Sequence, residues 1–324
     1  MSSSLAAYHD FRARGGIADL SDRAKIRLKG PDRVRYLNGQ VTANVSRASA
    51  AESVRACVTT AKGKLCADVF ISAEPRAMIE AEIGGLIVDA EGELREALLA
   101  RLERYIISDD VTLEDLSETL GLLHFLPPAG AGIEALHGVF WSPVEPILSH
   151  RFGRAGFDFF LPREALANGI GDFFEPHHAV LDDALIETLR IEAGVPRWGR
   201  ELGEDTLPPE AGLDHTHIDY HKGCYIGQEV ISRLKSVGHV NRELTGFVSE
   251  DGTAPAAGAS LFAPGGERPI GTITSAAFSF ALERPIALGY LRRGSPTGGL
   301  LARPADPSSA ECRVTACPLP FVSP

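Results

Sequence analysis

The chain has no H-E-x-x-H, G-x-S-x-G, C-x-x-C, P-loop or G-x-G-x-x-G sequence, which removes most hydrolases and nucleotide enzymes from consideration. Cysteine is scarce: the five are an odd number with no paired spacing, so a disulfide framework is not expected and a reduced, cytoplasmic setting is. The opening MSSSLAAYHDFRARGG lacks the apolar core of a signal peptide. No apolar run approaches the roughly 18 residues needed to cross a bilayer, and no repeat of fixed period is present. Basic residues are outnumbered, 32 against 43 acidic, for a net charge of -11. Such a surface repels nucleic acid and anionic membrane, so neither direct nucleic-acid binding nor a membrane role is expected.

What is present is a globular composition of 324 residues, 44% hydrophobic and 23% charged, enough for two or three compact units. The 33 glycines and 21 prolines imply many turns and short elements. Ala24 to Lys29 alternate as a strand, and Gly30-Pro31 open a short helix carrying Val34 and Leu37 and ending near Gly39. Val54 to Thr60 and Leu65 to Ile71 flank the tight Lys62-Gly63-Lys64 turn as a hairpin. Met78 to Glu82 and Leu86 to Val88 read as strands. A helix carries Leu94, Leu98, Leu102 and Ile106, with Asp89 placed to cap it. Val111 to Leu113 and Leu120 to Leu126 follow, and Pro127 to Pro146 reads as an irregular connection. Phe157 to Leu161 is an aromatic strand, and Asp182 to Ala193 a helix stopped by Gly194 and Pro196. Beyond residue 240, Leu244 to Ser249, Ile270 to Thr274, Ile286 to Leu291 and Glu311 to Cys317 are short strands between glycines and prolines, the pattern of a small barrel. The expected division is 1-240 as a mixed α+β region and 241-324 as a β-barrel.

The densest chemistry lies between Asp214 and Glu229, where three histidines and one cysteine fall within ten residues. His215, His217, His221 and Cys224 offer the four N and S ligands that zinc takes, but their spacing matches no usual metal pattern, and a polar loop with water-facing histidines is the favoured reading. No metal is assigned. His221, Lys222 and Gly223 precede Cys224, and nearby cations would favour its thiolate; an unpaired cysteine is also often a small buried hydrophobe, and the residues alone leave both readings open.

Lys222-Gly223-Cys224-Tyr225-Ile226-Gly227-Gln228-Glu229 resembles the K-G-C-Y-x-G-Q-E signature of the YgfZ-like folate-binding proteins, relatives of the glycine-cleavage T-protein (aminomethyltransferase). Tyr36-Leu37-Asn38-Gly39-Gln40-Val41-Thr42 and Ala61-Lys62-Gly63-Lys64 are similar to that family's F-L-Q-G-Q-V-T and A-K-G-K elements. Arg190 to Pro196 and Pro209 to Leu213 resemble the R-x-E-A-G-x-P and P-x-E-A-G-L elements shared with T-protein. The resemblance spans about 24 to 245.

It implies a three-domain ring of α+β class, with two interleaved ferredoxin-like subdomains and a C-terminal antiparallel barrel around a central tetrahydrofolate. It also implies a role in assembling or repairing iron-sulfur enzymes, which would be the partners and through which tRNA modification is supported. Glu192 is the candidate for the pterin, whose ring N-H and amino groups suit a carboxylate fork; its other reading is a solvated residue near a helix end. Arg190, Tyr225, Gly227, Gln228 and Glu229 are placed at the folate site by the motifs they share. Arg233, with Lys235 and Arg242, makes a locally basic stretch for the glutamate tail, or simply a wet surface. Cys224, Lys222 and Asp68 are the candidates for chemistry. Asp68 falls where T-protein carries adjacent aspartates; here the pair is Ala67-Asp68, and losing a working acid would cost roughly two to four powers of ten in rate. Two other functions stay open: a folate-dependent aminomethyltransferase acting on a lipoyl-linked carrier, and a non-catalytic scaffold using Cys224.

Overall fold

A computed structural model of the chain describes residues 2–78, 84–128, 130–131, 145–168, 179–306 and 310–322. The chain divides into two compact units: residues 1–151, 155–182 and 214–230 form the first, and residues 152–154, 183–213 and 231–324 the second.

The first unit holds two five-stranded sheets whose strands interleave along the chain. Helix α1 (Ser2–Arg14) and β1 (Gly16–Asp19) come first, followed by β2 (Ala24–Lys29), α2 (Arg33–Gln40), β3 (Val54–Thr59), β4 (Leu65–Ala73), β5 (Leu86–Ala90), α3 (Arg95–Glu103) and β6 (Thr112–Asp115). After these come β7 (Leu120–Leu126), β8 (Ile147–Ser149), β9 (Gly156–Pro162) and β10 (Ala179–Val180). One sheet runs β3-β4-β5-β2-β6; the other runs β10-β1-β7-β9-β8, so the first sheet is inserted between β1 and β7. The predicted hairpin is the β3–β4 pair, with Gly63 at φ 74° in its turn, a conformation that favours glycine.

The strand period decides what each face of the β3–β6 sheet does. Ile26, Ala56, Val58, Leu65, Ala67, Val69, Ile71 and Val88 point one way and are fully buried or nearly so, each large one gaining about 1.5–3 kcal/mol from leaving water. Helices α2 and α3 are tied to one another and to β3: Tyr36 Oη donates to the Leu102 carbonyl, and Arg101 reaches Gln40 and the Thr59 carbonyl. The opposite face carries Lys25, Arg55, Cys57, Asp68, Phe70 and Asp89. Two α+β sheets with interleaved strands are the architecture that the sequence resemblance implied.

Asp89 does not cap the following helix. It lies within β5, is buried, and is gripped by Arg151 through paired contacts of 2.8 and 2.7 Å and by Arg23 at 2.6 Å. Helix α3 ends at Glu103, so Ile106 lies beyond it. Met78 closes a short 3-10 turn rather than opening a strand, and 79–82 lie outside the described residues, as does most of 127–146.

In the second unit, α4 (Asp183–Glu192) is stopped by Gly194 at φ 67°. Helix α5 (Gln228–Ser236) begins in the first unit and ends in the second. Six strands, β11 (Arg242–Ser249), β12 (Ser260–Phe262), β13 (Pro269–Ser279), β14 (Arg284–Arg292), β15 (Leu300–Arg303) and β16 (Cys312–Cys317), close into an antiparallel barrel in the order β11-β14-β13-β12-β15-β16. Phe247, Leu261, Ile273, Ala287, Leu300 and Val314 fill its interior. Strand β14 is buried on both faces because Ile286 and Leu288 turn outward against Ile191 of α4. The sequence pattern missed β12 and β15, which are short and flanked by glycine-rich turns.

Candidate functional site

The three motifs that stand far apart in sequence meet in the first unit. The signature loop lies on the end of α2: the Lys222 ammonium donates to the carbonyls of Asn38, Val41 and Ala43 at 2.6, 2.8 and 2.6 Å. Carbonyls at and just past a helix C-terminus have no partner within the helix, and a cation there satisfies them. Ile226 N donates to the Gly39 carbonyl, and Thr59 Oγ1 donates to the Ile226 carbonyl. Gly227 has φ 88°, and a Cβ there would stand 2.5 Å from the Thr60 carbonyl, so both backbone and space demand glycine where the loop crosses the Lys62–Lys64 turn. Thr42 adds another stitch, its Oγ1 donating to the His217 carbonyl and accepting from Cys57 N. Lys222 is therefore held as a brace, with burial pulling its pKa down to about 8.

Beneath this loop is the polar face of the sheet. Asp68 stands directly across from Cys57 in the β3–β4 register. Its Oδ1 is sealed from solvent and makes no hydrogen bond, and burial pushes its pKa up to about 6 against the pull of Arg23. Arg23 donates to Asp89 at 2.6 Å and Glu91 at 2.6 Å while its Nη2 stays buried without a partner. The Tyr225 ring lies 5.4 Å from the Lys222 ammonium; the residue is only 7% exposed, and its Oη is likewise buried and unbonded. Burial raises the Tyr225 pKa well above the usual phenol range. Most buried polar atoms in proteins are hydrogen-bonded, and each orphan costs about 1–3 kcal/mol. A carboxylate oxygen and a guanidinium nitrogen that act on one another, with a phenol in the loop whose ring lies near Cys57, the residue across from Asp68, suit a polar ligand carrying both donors and acceptors. Behind them Arg151 bridges Asp89 and Asp158, stacks 4.2 Å from the centre of the Phe70 ring, and fixes the floor.

The sequence candidates divide between the units. Cys224 is exposed at the head of the loop. Gln228 and Glu229 open α5, with Glu229 exposed in its first turn, where a carboxylate favours the dipole. Among the histidines, His215 and His221 are exposed and His217 is buried, its pKa driven down to about 3 by burial and the Arg55 charge. The polar-loop reading thus holds for two of the three. Among the described residues no group of three or more histidines, cysteines or carboxylates could hold a metal ion.

Arg190 and Glu192 lie in the second unit. The Arg190 guanidinium donates to Glu187, Glu201, Ser275 and the Val195 carbonyl. Glu192 is buried, not solvated, and its Oε1 accepts from Ser279 Oγ at 2.6 Å. Arg233 is exposed, and Arg242 is not a free surface cation, being paired with Glu210 and stacked on Tyr290. Tyr225 was named from its motif, but Arg23, whose charge acts on Asp68, was not legible from spacing, because it sits in an unremarkable turn before β2.

Residues 242–322 match the family model of the glycine cleavage T-protein C-terminal barrel domain. The chain is 31% identical over 280 residues to the tRNA-modifying protein YgfZ of Serratia proteamaculans, covering 81% of this chain and 80% of that one. The chain belongs to the YgfZ-like family of T-protein relatives. It is also 26% identical over 346 residues to an aminomethyltransferase of Corynebacterium jeikeium, covering 94% of this chain and 85% of the relative. The fold is that of the aminomethyltransferase of the Bartonella henselae glycine cleavage system, with a TM-score of 0.78, 21% identity, and coverage of 98% of this chain and 89% of that one. Among the described residues no helix is long and apolar enough to cross a membrane.

Proposed function

We propose that this protein binds tetrahydrofolate on the polar face beneath the signature loop and serves as an accessory factor in iron-sulfur cluster assembly or repair, with Cys224 at the exposed edge of that loop. The observation that carries the folate part is the set of three buried, unbonded polar atoms, Asp68 Oδ1, Arg23 Nη2 and Tyr225 Oη. A reduced pterin offers ring N-H and amino donors to the carboxylate and a ring carbonyl to the guanidinium and phenol, so the residues fit the group. Asp68, Arg23 and Tyr225 would hold it; when bound it supplies one-carbon chemistry at its ring nitrogens. With its pKa near 6, Asp68 can hold or release a proton close to neutral pH.

The test is a fluorescence titration with tetrahydrofolate. Saturable binding by the wild type, weakened at least tenfold by both Asp68→Asn and Tyr225→Phe, supports the reading; unchanged binding in both variants overturns the placement of the ligand. For the iron-sulfur role, a deletion strain carrying Cys224→Ser should show low activity of iron-sulfur enzymes. Full restoration by that variant removes the thiol from the proposal.

One observation favours a second reading, aminomethyl transfer: the acid facing the polar side of β4 is retained. Incubation with tetrahydrofolate and aminomethylated carrier decides it, since methylene-tetrahydrofolate and ammonia above background would make the protein an enzyme of that class.

A further inference from the structure

Arg55 is a half-buried cation without an acid, its nitrogens still in touch with solvent. Its place on β3, opposite Phe70 and two residues from Cys57, puts it on the polar face of the sheet. Burial lowers its pKa with no carboxylate acting against it, and among the described residues its guanidinium makes neither an ion pair nor a hydrogen bond. Other arginines on this side are saturated with acids: Arg27 holds Glu74 and Glu114, and Arg151 holds Asp89 and Asp158. A cation partly withdrawn from water with no acid beside it, yet still reachable from solvent, is placed to take up an anion from solution.

Two imidazoles are brought to it by separate elements. His150 follows β8, whose Leu148 N donates to the Ala51 carbonyl and whose Leu148 carbonyl accepts from Ser53 N, placing it beside the chain entering β3. His217 is tied through its carbonyl to Thr42 Oγ1, which itself accepts from Cys57 N. The Arg55 charge depresses the pKa of both histidines, and burial contributes more than that charge in each; Glu52 is the acid acting on His150. Near neutral pH His217 is therefore a neutral ring, able to donate through one N-H while its Nδ1 meets Thr216 Oγ1 at 2.7 Å.

We propose that Arg55, His150 and His217 form a binding site for an oxyanion, a carboxylate or phosphate group, at the β3 edge of the polar face. The planar guanidinium matches such a group with two parallel N-H bonds, and imidazole N-H groups complete its coordination. The inference does not depend on folate binding, although the glutamate carboxylates of a folate are one possible source of the group and a free oxyanion the other.

The experiment follows the His150 and His217 imidazole signals by NMR while inorganic phosphate, then glutarate, is added to the full chain. A saturable perturbation of both signals is expected, with affinity at least tenfold weaker in Arg55→Met. No saturable perturbation, or equal affinity in Arg55→Met, overturns the site. Because Arg55 has no partner to lose, Arg55→Met should melt no lower than the wild type; a clear fall in Tm would make Arg55 a structural cation and also overturn the proposal. Should that variant fail to fold, the same comparison is made with His150→Gln. Tetrahydrofolate and tetrahydropteroate, which lacks the glutamate, then separate the sources. A loss in Arg55→Met confined to tetrahydrofolate assigns the site to the glutamate tail, whereas indifference of both folates with a retained phosphate effect assigns it to a free oxyanion. If neither folate binds at all, the phosphate and glutarate titrations still decide the site by themselves.

Discussion

Replacing Asp68 by asparagine should make the protein more stable and less able to bind its ligand. In the folded chain its pKa is raised from 3.8 to about 6, chiefly by burial, a shift of about two pH units worth on the order of 3 kcal/mol at about 1.4 kcal/mol per unit. The sign follows from linkage. Well below pH 3.8 the group is protonated in both folded and unfolded chains and imposes no penalty. As pH rises from about 4 through about 6 the unfolded chain ionises first, and folding stability is lost. Asparagine keeps the shape and removes the charge, so at pH 7.5 Asp68→Asn should gain up to about 3 kcal/mol, and the gain should vanish toward pH 4. Hydrogen exchange of the β3 and β4 amides across this pH range reads the difference locally. A variant that is less stable than the wild type at pH 7.5 would refute the reasoning, because it would mean that the carboxylate holds the fold together rather than waiting for a ligand.

Other perturbations test the scaffold around that acid. Arg151→Leu leaves Asp89 and Asp158 buried without their shared cation, which should cost about 3–5 kcal/mol and lower the Tm by roughly 10 °C, measurable by calorimetry. Gly227→Ala places a Cβ 2.5 Å from the Thr60 carbonyl at a left-handed φ; a loss of about 1–3 kcal/mol is expected, with faster proteolysis at the start of α5. Lys222→Met strips three carbonyls of their donor and should weaken tetrahydrofolate binding by loosening the loop, whereas Cys224→Ser, at an exposed position, should leave the melting temperature unchanged.

Much of the fold was legible because period and punctuation survive burial. The β3–β4 hairpin, α4 with its Gly194 stop and four of the six barrel strands follow from alternation, helical spacing and glycine. Asp89 misled because an acid just before a helical run is a good cap by local rules, and only the long-range arrival of Arg151, 62 residues on, draws it into a strand and buries it. Glu192 and Arg190 were placed at the ligand by motif alone, while one hydrogen-bonding partner of each, Ser279 and Ser275, comes from a barrel strand some 85 residues downstream. Spacing within a segment carries no information about such pairs.

The Ala67-Asp68 step shows how a local rule can decide a functional question that resemblance leaves open. Adjacent residues on a strand face opposite sides, so of two neighbouring acids at these positions only one can reach the polar face. Ala67 points into the fully buried layer with Val58 and Val69, where a carboxylate would need a partner that the apolar side does not offer. Asp68 points the other way, beside Arg23 and across from Cys57. The substitution that distinguishes this chain from the paired pattern thus falls on the side away from the orphaned atoms and leaves the acid among them intact. On the proposed reading, loss of the neighbouring carboxylate therefore leaves in place the acid assigned to folate binding and proton transfer on the polar face.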